Sequence, residues 1–267
     1  MIEMLFKNGT SRIVTFSYDD GDPLDERLIK LFDKYGMKAT FNLNSSRVKY
    51  HYEDPTVIKK LYENHEVAVH TVNHGWLEKM PNQAVVNEII EDRKYLESLV
   101  GYPVLGMAFP SGSPLDNDKN IREIVKACGI LYARTTNSTM SFYVPYDFLY
   151  WNTTCHHRDA LEVAKKFTDS LDSYWTRPLL YIWGHSHEFK TEEDWEKFEN
   201  VLKLLANHKQ IWYATNMEIC SYVKAYKSLQ ISMDESIFYN PTATDVWVMK
   251  NNSEVIKIPA GEKIILN

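Results

Sequence analysis

Short runs of β-branched and aromatic residues alternate with longer amphipathic stretches through most of this chain, and that alternation constrains its fold more than any other feature. Arg12–Tyr18 (RIVTFSY) reads as a buried strand. Pro23 and the apolar stripe Leu24, Leu28, Ile29, Leu31 and Phe32 then predict a helix that Gly36 ends. Lys38–Leu43, Glu66–His70, Val104–Phe109 and Ile130–Ala133 continue the series of strands, with helical patterns between them, the longest over Asn82–Val100. Leu179–Trp183 and Ile211–Ala214 add two more. Repeated strand–helix units predict a parallel sheet covered by helices. So many units before residue 229 favour a ring of strands over an open sheet. A full eight-unit ring takes ~250 residues, so the expected fold is α/β, a short, distorted (β/α) TIM-like barrel.

From about Leu229 the texture changes. Gln230–Met233, Ser236–Tyr239, Asp245–Met249, Val255–Ile258 and Lys263–Leu266 are short strand-like runs broken by turn residues such as Asn240-Pro241 and Ala260-Gly261. The expected domains are therefore a barrel over 1–228 and a small antiparallel β appendage over 229–267. The first strand runs into Asp19-Asp20-Gly21-Asp22-Pro23 rather than a glycine-rich phosphate loop, so no dinucleotide site is expected.

Charge and cysteine usage narrow the function classes. Thirty Lys and Arg against 36 Asp and Glu give a net charge of −6, whereas a nucleic-acid binder needs clustered cations to neutralise phosphates. Cys128, Cys155 and Cys220 form no CxxC pair and predict free thiols in a reducing compartment. No apolar run approaches the ~20 residues of a membrane span, and the N-terminus carries no export-signal pattern. The chain reads as soluble and cytoplasmic, with neither nucleic acid nor membrane as partner.

In parallel α/β architectures, reactive groups collect at the carboxyl ends of the strands. Here those ends carry Asp19-Asp20, His70 through His74, Pro110-Ser111-Gly112 and Trp183-Gly184-His185. The spacing of His70 and His74 puts both imidazoles on one side of a helical turn, as a divalent metal requires of two nitrogen ligands. One carboxylate of the Asp pair would complete a facial set of three and leave positions open for water and substrate. The other carboxylate could then take a proton from the metal-activated water, and His185 across the pocket could protonate a leaving group. Backbone N–H groups of the Pro110-Ser111-Gly112 turn could bind an oxyanion. The set suits hydrolysis of an amide or ester.

Thr15-Phe16-Ser17-Tyr18-Asp19-Asp20-Gly21 resembles the TFDDG-type first motif of the polysaccharide deacetylases, the NodB-homology carbohydrate esterases. His70-Thr71-Val72-Asn73-His74 matches their HSxxH/HTxxH motif, Phe109-Pro110-Ser111-Gly112 resembles the third, and Ile182-Trp183-Gly184-His185 the last. The resemblance implies a distorted barrel and removal of acetyl from an N-acetylated sugar. By position it makes Asp19 the general base, His185 the general acid, and Asp20, His70 and His74 the ligands of one divalent ion, zinc first, with Co, Mn, Fe or Ni also admitted. The third motif lacks its arginine, and Arg134, shortly after the fifth strand, is the candidate substitute, with an ordinary surface arginine as the alternative. Asp147 and Trp151 are the best remnants of the fourth motif.

Supporting roles near the pocket fall to Arg134, Trp151, His156 and His157, and Trp76 is a further pocket candidate. His187 is close to His185 but is expected to face differently on an extended segment. Two rival functions keep the same residues: hydrolysis of a small non-sugar amide such as a cyclic ureide, and a retired scaffold that binds glycan without turning it over.

Overall fold

The computed structural model describes residues 2–111, 119–169 and 177–266. Its elements run β1 (Ile2–Leu5), β2 (Arg12–Asp19), α1 (Asp25–Lys34), β3 (Ala39–Leu43), α2 (Ser45–His51), α3 (Val57–Leu61), β4 (Glu66–Val69), α4 (Asn82–Val100) and β5 (Gly106–Ala108). Then come α5 (Lys119–Ala127), β6 (Tyr132–Ser138), β7 (Trp151–Thr153), β8 (Cys155–His156), α6 (Ala160–Asp169), β9 (Leu179–His185), α7 (Glu192–Leu205), β10 (Ile211–Tyr213) and α8 (Asn216–Lys227). The chain ends in β11 (Gln230–Ile231), β12 (Ile237–Tyr239), β13 (Val246–Lys250), β14 (Glu254–Ile258) and β15 (Lys263–Ile265).

The strands from β2 to β10 form one parallel sheet in the order β7-β6-β5-β4-β3-β2-β9-β8. Its two ends, β7 and β8, are separated in the chain by Thr154 alone. Trp151 and Thr153 pair with β6, while Cys155 and His156 pair with β9, so this one extended segment closes the ring. Thr154 seals the join: its N–H donates to the Tyr181 carbonyl at 2.8 Å and its Oγ1 accepts from the Tyr181 N–H at 3.0 Å. β10 lies beside the first residues of β2, in register Ile211↔Arg12 to Tyr213↔Val14, while β3 pairs with Phe16–Asp19. The expected short and distorted α/β barrel is what the chain adopts.

Strand side chains alternate between faces, and here the alternation separates two chemistries. Phe16, Tyr18, Phe41, Val67, Val69 and Ile182 face the helices and pack with Phe32, Ile58, Ile89 and Phe198 in the main core. Truncating one of these buried aromatics to alanine would cost about 3–5 kcal/mol. The other set, Thr15, Ser17 and Asp19, shares the barrel interior with Asn42, Tyr181 and Asn216, joined by hydrogen bonds such as Asn42 Nδ2 to Ser17 Oγ at 2.8 Å and Thr15 Oγ1 to Asn216 Oδ1 at 3.0 Å. Ser17-Tyr18 in the first motif is thus one residue for the interior and one for the core.

The carboxy-terminal strands form two antiparallel sheets, β11-β12-β15 and β1-β13-β14. The second takes its edge strand from the chain's first residues, in register Ile2↔Lys250 to Leu5↔Trp247, a pairing the sequence reading did not foresee. Phe238, Val248, Ile256 and Ile258 fill the space between them. Cys128, Cys155 and Cys220 are free and buried. No helix among the described residues is long and apolar enough to cross a membrane.

Candidate active site

β2 ends by inserting Asp19 and Asp20 into the mouth of the barrel. Asp20 (φ 84°) and Gly21 (φ 69°) both take left-handed backbone, so the strand turns sharply and both carboxylates approach His70 Nε2, each at 3.8 Å. Asp19 sits 1% exposed and Asp20 3% exposed, and burying two carboxylates requires partners.

Arg134 supplies one. It is fully buried on β6, its Nη2 pairs with Asp19 Oδ2, and its guanidinium lies 4.7 Å from the Trp183 ring centre. The surface-arginine alternative is therefore set aside. In the parallel register Ala108 stands directly beside Arg134, so the neighbouring strand carries the cation that the third motif lacks. Asn42 Nδ2 donates to Asp19 Oδ1 at 2.8 Å. Burial alone would raise the Asp19 pKa, but Arg134, His70 and His185 outweigh it and hold the carboxyl below its ordinary value.

His70 and His74 follow β4 on an irregular bend, not the helical turn expected from their spacing. Thr71 (φ 67°) and His74 (φ 55°) are left-handed there, and this double reversal replaces helical periodicity as the device that brings the rings together. Their centres are 4.8 Å apart. His70 Nδ1 lies 2.9 Å from the Ala108 carbonyl and so carries the proton, which leaves Nε2 as a lone-pair donor. His70 Nε2 and His74 Nε2 are 3.8 and 3.6 Å from Asp20 Oδ1.

Asp20, His70 and His74 offer three donor atoms within 4.8 Å of one another. Both His70 Nε2 and Asp20 Oδ1 are buried without a hydrogen-bond partner among the described residues. Two imidazole nitrogens and a carboxylate oxygen at these separations fit a zinc-type ion, whose tetrahedral donors lie roughly 3.4 Å apart. Burial pushes the His70 pKa down to about 4, so the ring is neutral, as a ligand must be. The other Asp20 oxygen faces Arg47 Nη1 at 3.3 Å.

His185 closes the opposite side, with Nε2 3.9 Å from Asp19 Oδ2. Its Nδ1 faces Glu188 Oε2 at 3.3 Å, and the same oxygen meets His156 Nε2 at 2.9 Å and His157 Nε2 at 3.4 Å, while Arg158 holds Oε1. Burial lowers the His185 pKa, but the Glu188 hydrogen bond and the charges of Asp19 and Asp20 outweigh it, for a net rise. Burial would raise the Glu188 pKa, yet His156 and His185 drive it far below the usual carboxylate range. Gly184 is required for this packing, because a Cβ there would meet His157 Nδ1 at 2.2 Å.

Residues 186–188 form a 3₁₀ turn instead of an extended segment, so beside His185, which faces Asp19, His187 reaches the other aspartate. Its Nδ1 lies 4.0 Å from Asp20 Oδ2. Glu188, Asn42 and Arg47 are not among the sequence candidates, and His187 is weighed there only to be set aside for His185. A carboxylate three residues after a strand-end histidine was the one local signal for Glu188.

Asp19, His70, His74, Ser111, Trp183 and His185 line a cavity of about 430 Å³. Pro110 has no N–H, so of the proposed oxyanion turn only Ser111 (φ 61°) can donate from the described residues; Gly112 lies outside them. Trp151 is not in the cavity lining: it is fully buried against Tyr132, Phe148 and Tyr181 in the second core cluster. Asp147 pairs with Arg122 at 3.1 Å on the surface, and Trp76 stands outside the lining under Lys79. His156 and His157 are not in the cavity lining; both contact Glu188, and His156 packs edge-on against Trp183 with ring centres 4.8 Å apart. A larger cavity of about 810 Å³ opens at the amino ends of the strands, lined by Trp212, Trp247 and Glu66, away from the Asp20, His70 and His74 donors.

Residues 6–133 match the family model described as "Polysaccharide deacetylase". A curated peptidoglycan-N-acetylglucosamine deacetylase of Bacillus cereus is 31% identical over 97 residues, which are 35% of this chain and 44% of that protein. The match thus spans less than half the length of that relative. A Mycobacterium smegmatis protein whose structure is assigned to the polysaccharide deacetylases superposes with a TM-score of 0.62 at 15% identity, covering 83% of this chain and 93% of that one. The peptidoglycan deacetylase PdaC from Bacillus subtilis does so with a TM-score of 0.54 at 18% identity, covering 82% and 94%. At such identities these two likenesses are of fold.

Proposed function

We propose that the chain is a metal-dependent hydrolase of the polysaccharide deacetylase type, removing acetyl from an N-acetylated sugar or glycan, a reading supported by the match of residues 6–133, just under half of the chain, to that family's model. One observation carries the proposal. A single cavity sets Asp19, paired with Arg134, against His185, paired with Glu188, with the Asp20, His70 and His74 donors beside them.

Asp20, His70 and His74 would hold one divalent ion, zinc first, which when bound supplies Lewis acidity toward the amide carbonyl. Asp19, kept ionised by Arg134, takes a proton from the water that adds to the carbonyl carbon. The Ser111 N–H is the candidate donor to the oxygen that gains charge in that addition. His185 has Nδ1 toward Glu188 and so presents Nε2 to the cavity. From there it delivers a proton to the departing nitrogen as the C–N bond breaks. Acetate and a free amine result, and water supplies the atoms that balance the cleavage.

The Bacillus cereus relative's name supports N-acetylglucosamine as the sugar to test first. Acetate release from chitooligosaccharides and peptidoglycan fragments, with zinc or cobalt added, is the direct assay, with cyclic ureides in parallel. Turnover of the glycans that disappears in Asp19→Asn is expected. Turnover of ureides alone would overturn the sugar assignment. Glycan binding retained in Asp19→Asn, with no turnover by the wild type, would make the chain a binding protein.

A further inference from the structure

The bend from His70 to His74 carries both histidine donors on strained backbone, and such backbone persists only where its surroundings over-determine it. Helix α4 supplies much of that restraint through two acids one turn apart. Glu88 grips Asn73 with both carboxylate oxygens, accepting from the Asn73 N–H at 2.8 Å and from Asn73 Nδ2 at 2.7 Å, and its own carbonyl accepts the Val72 N–H at 3.2 Å. Asp92 is fully buried and accepts the His70 N–H at 3.0 Å and the Ser45 N–H at 2.6 Å. Asn73 immediately precedes left-handed His74. The Asn73–Glu88 contact is exposed and lies outside the core.

We infer that Glu88 is a positioning residue for the cation site: by fixing Asn73 from two sides it presets the direction in which His74 Nε2 points. This rests on the proposed Asp20, His70 and His74 donor set. Groups that orient ligands from behind them govern metal affinity by about 10–100-fold. The role is thus separable from stability, because a surface contact contributes little to the fold.

The test is zinc affinity, measured by chelator competition on the metal-free protein, for wild type, Glu88→Ala, Asn73→Ala and the double variant, with thermal unfolding of each metal-free form. Glu88→Ala is expected to weaken zinc about 10–100-fold while the metal-free melting temperature stays within about 2 °C of wild type. Asn73→Ala, which keeps its backbone N–H on Glu88, should lose less, and the double variant should bind no more weakly than Glu88→Ala. Zinc bound as tightly by Glu88→Ala as by wild type would overturn the inference and leave the metal site standing. Equal losses of affinity and melting temperature would mean a merely structural contact. Wild type that takes up no zinc would overturn both this inference and the proposed site.

Discussion

Arg134 and Asp19, 115 residues apart in the chain, form a fully buried ion pair across the barrel, Nη2 on Oδ2. The pair helps hold the Asp19 pKa below its ordinary value in a place where burial alone would raise it.

Arg134→Ala removes one partner of this pair and leaves the other charge buried. Stability should fall by about 3–5 kcal/mol, read from denaturant unfolding. The Asp19 pKa should rise, which moves the acid limb of the kcat/KM profile to higher pH, since the base works only when deprotonated. Arg134→Lys should restore little, because an ammonium cannot reproduce the planar guanidinium stacked on Trp183. An acid limb unmoved in Arg134→Ala would show that Asp19 does not depend on this cation.

Glu188→Gln should act on the other limb. His185 serves as an acid only when protonated, so activity is present below its pKa and lost as pH rises through it. Glu188 is the first of the groups that raise that pKa against burial. Without its charge the basic limb is expected to move to lower pH, with kcat reduced and KM little changed. A basic limb at the wild-type position would separate Glu188 from the acid.

Asp25 predicts a pH-dependent stability. It is buried at the first position of α1, accepts from the Tyr62 hydroxyl at 2.9 Å, and burial pushes its pKa from 3.8 up to about 7. Between those values the folded state binds more protons than the unfolded one. Asp25 therefore lowers stability as pH rises from about 4 to 7, by at most about 1.4 kcal/mol per pH unit. Asp25→Asn should flatten that slope in urea unfolding at pH 5, 6 and 7; an unchanged slope would exclude Asp25 as its source.

Metal loading should be visible without any substrate. At a free zinc concentration 100 times the dissociation constant, the chelator-treated protein should gain about 2.7 kcal/mol of stability. His70→Ala/His74→Ala should gain nothing. Equal gains in both proteins would place the metal elsewhere.

Local pattern sufficed for the barrel and for where its chemistry lies. Short β-branched and aromatic runs mark the strands, and Asp19-Asp20, His70, His74 and His185 sit where those strands run out, so their residue types and chain positions declare them together. Such signals depend on neighbours a few residues apart. Arg134 shared the inward face of β6 with Tyr132, but that it meets Asp19 depends on the β5–β6 register and on the curvature of the closed ring. Trp151, an attractive pocket residue by motif, became core because β7 closes the barrel and turns its ring onto Tyr132 and Tyr181. Glu188 joined three histidines only once β8 lay beside β9 and the chain tightened into a 3₁₀ turn. The sequence by itself determined the parallel α/β scaffold and the donors at its strand ends. Which charges stand opposite one another was decided by the tertiary structure alone, because strand register and ring closure set distances between residues far apart in the chain.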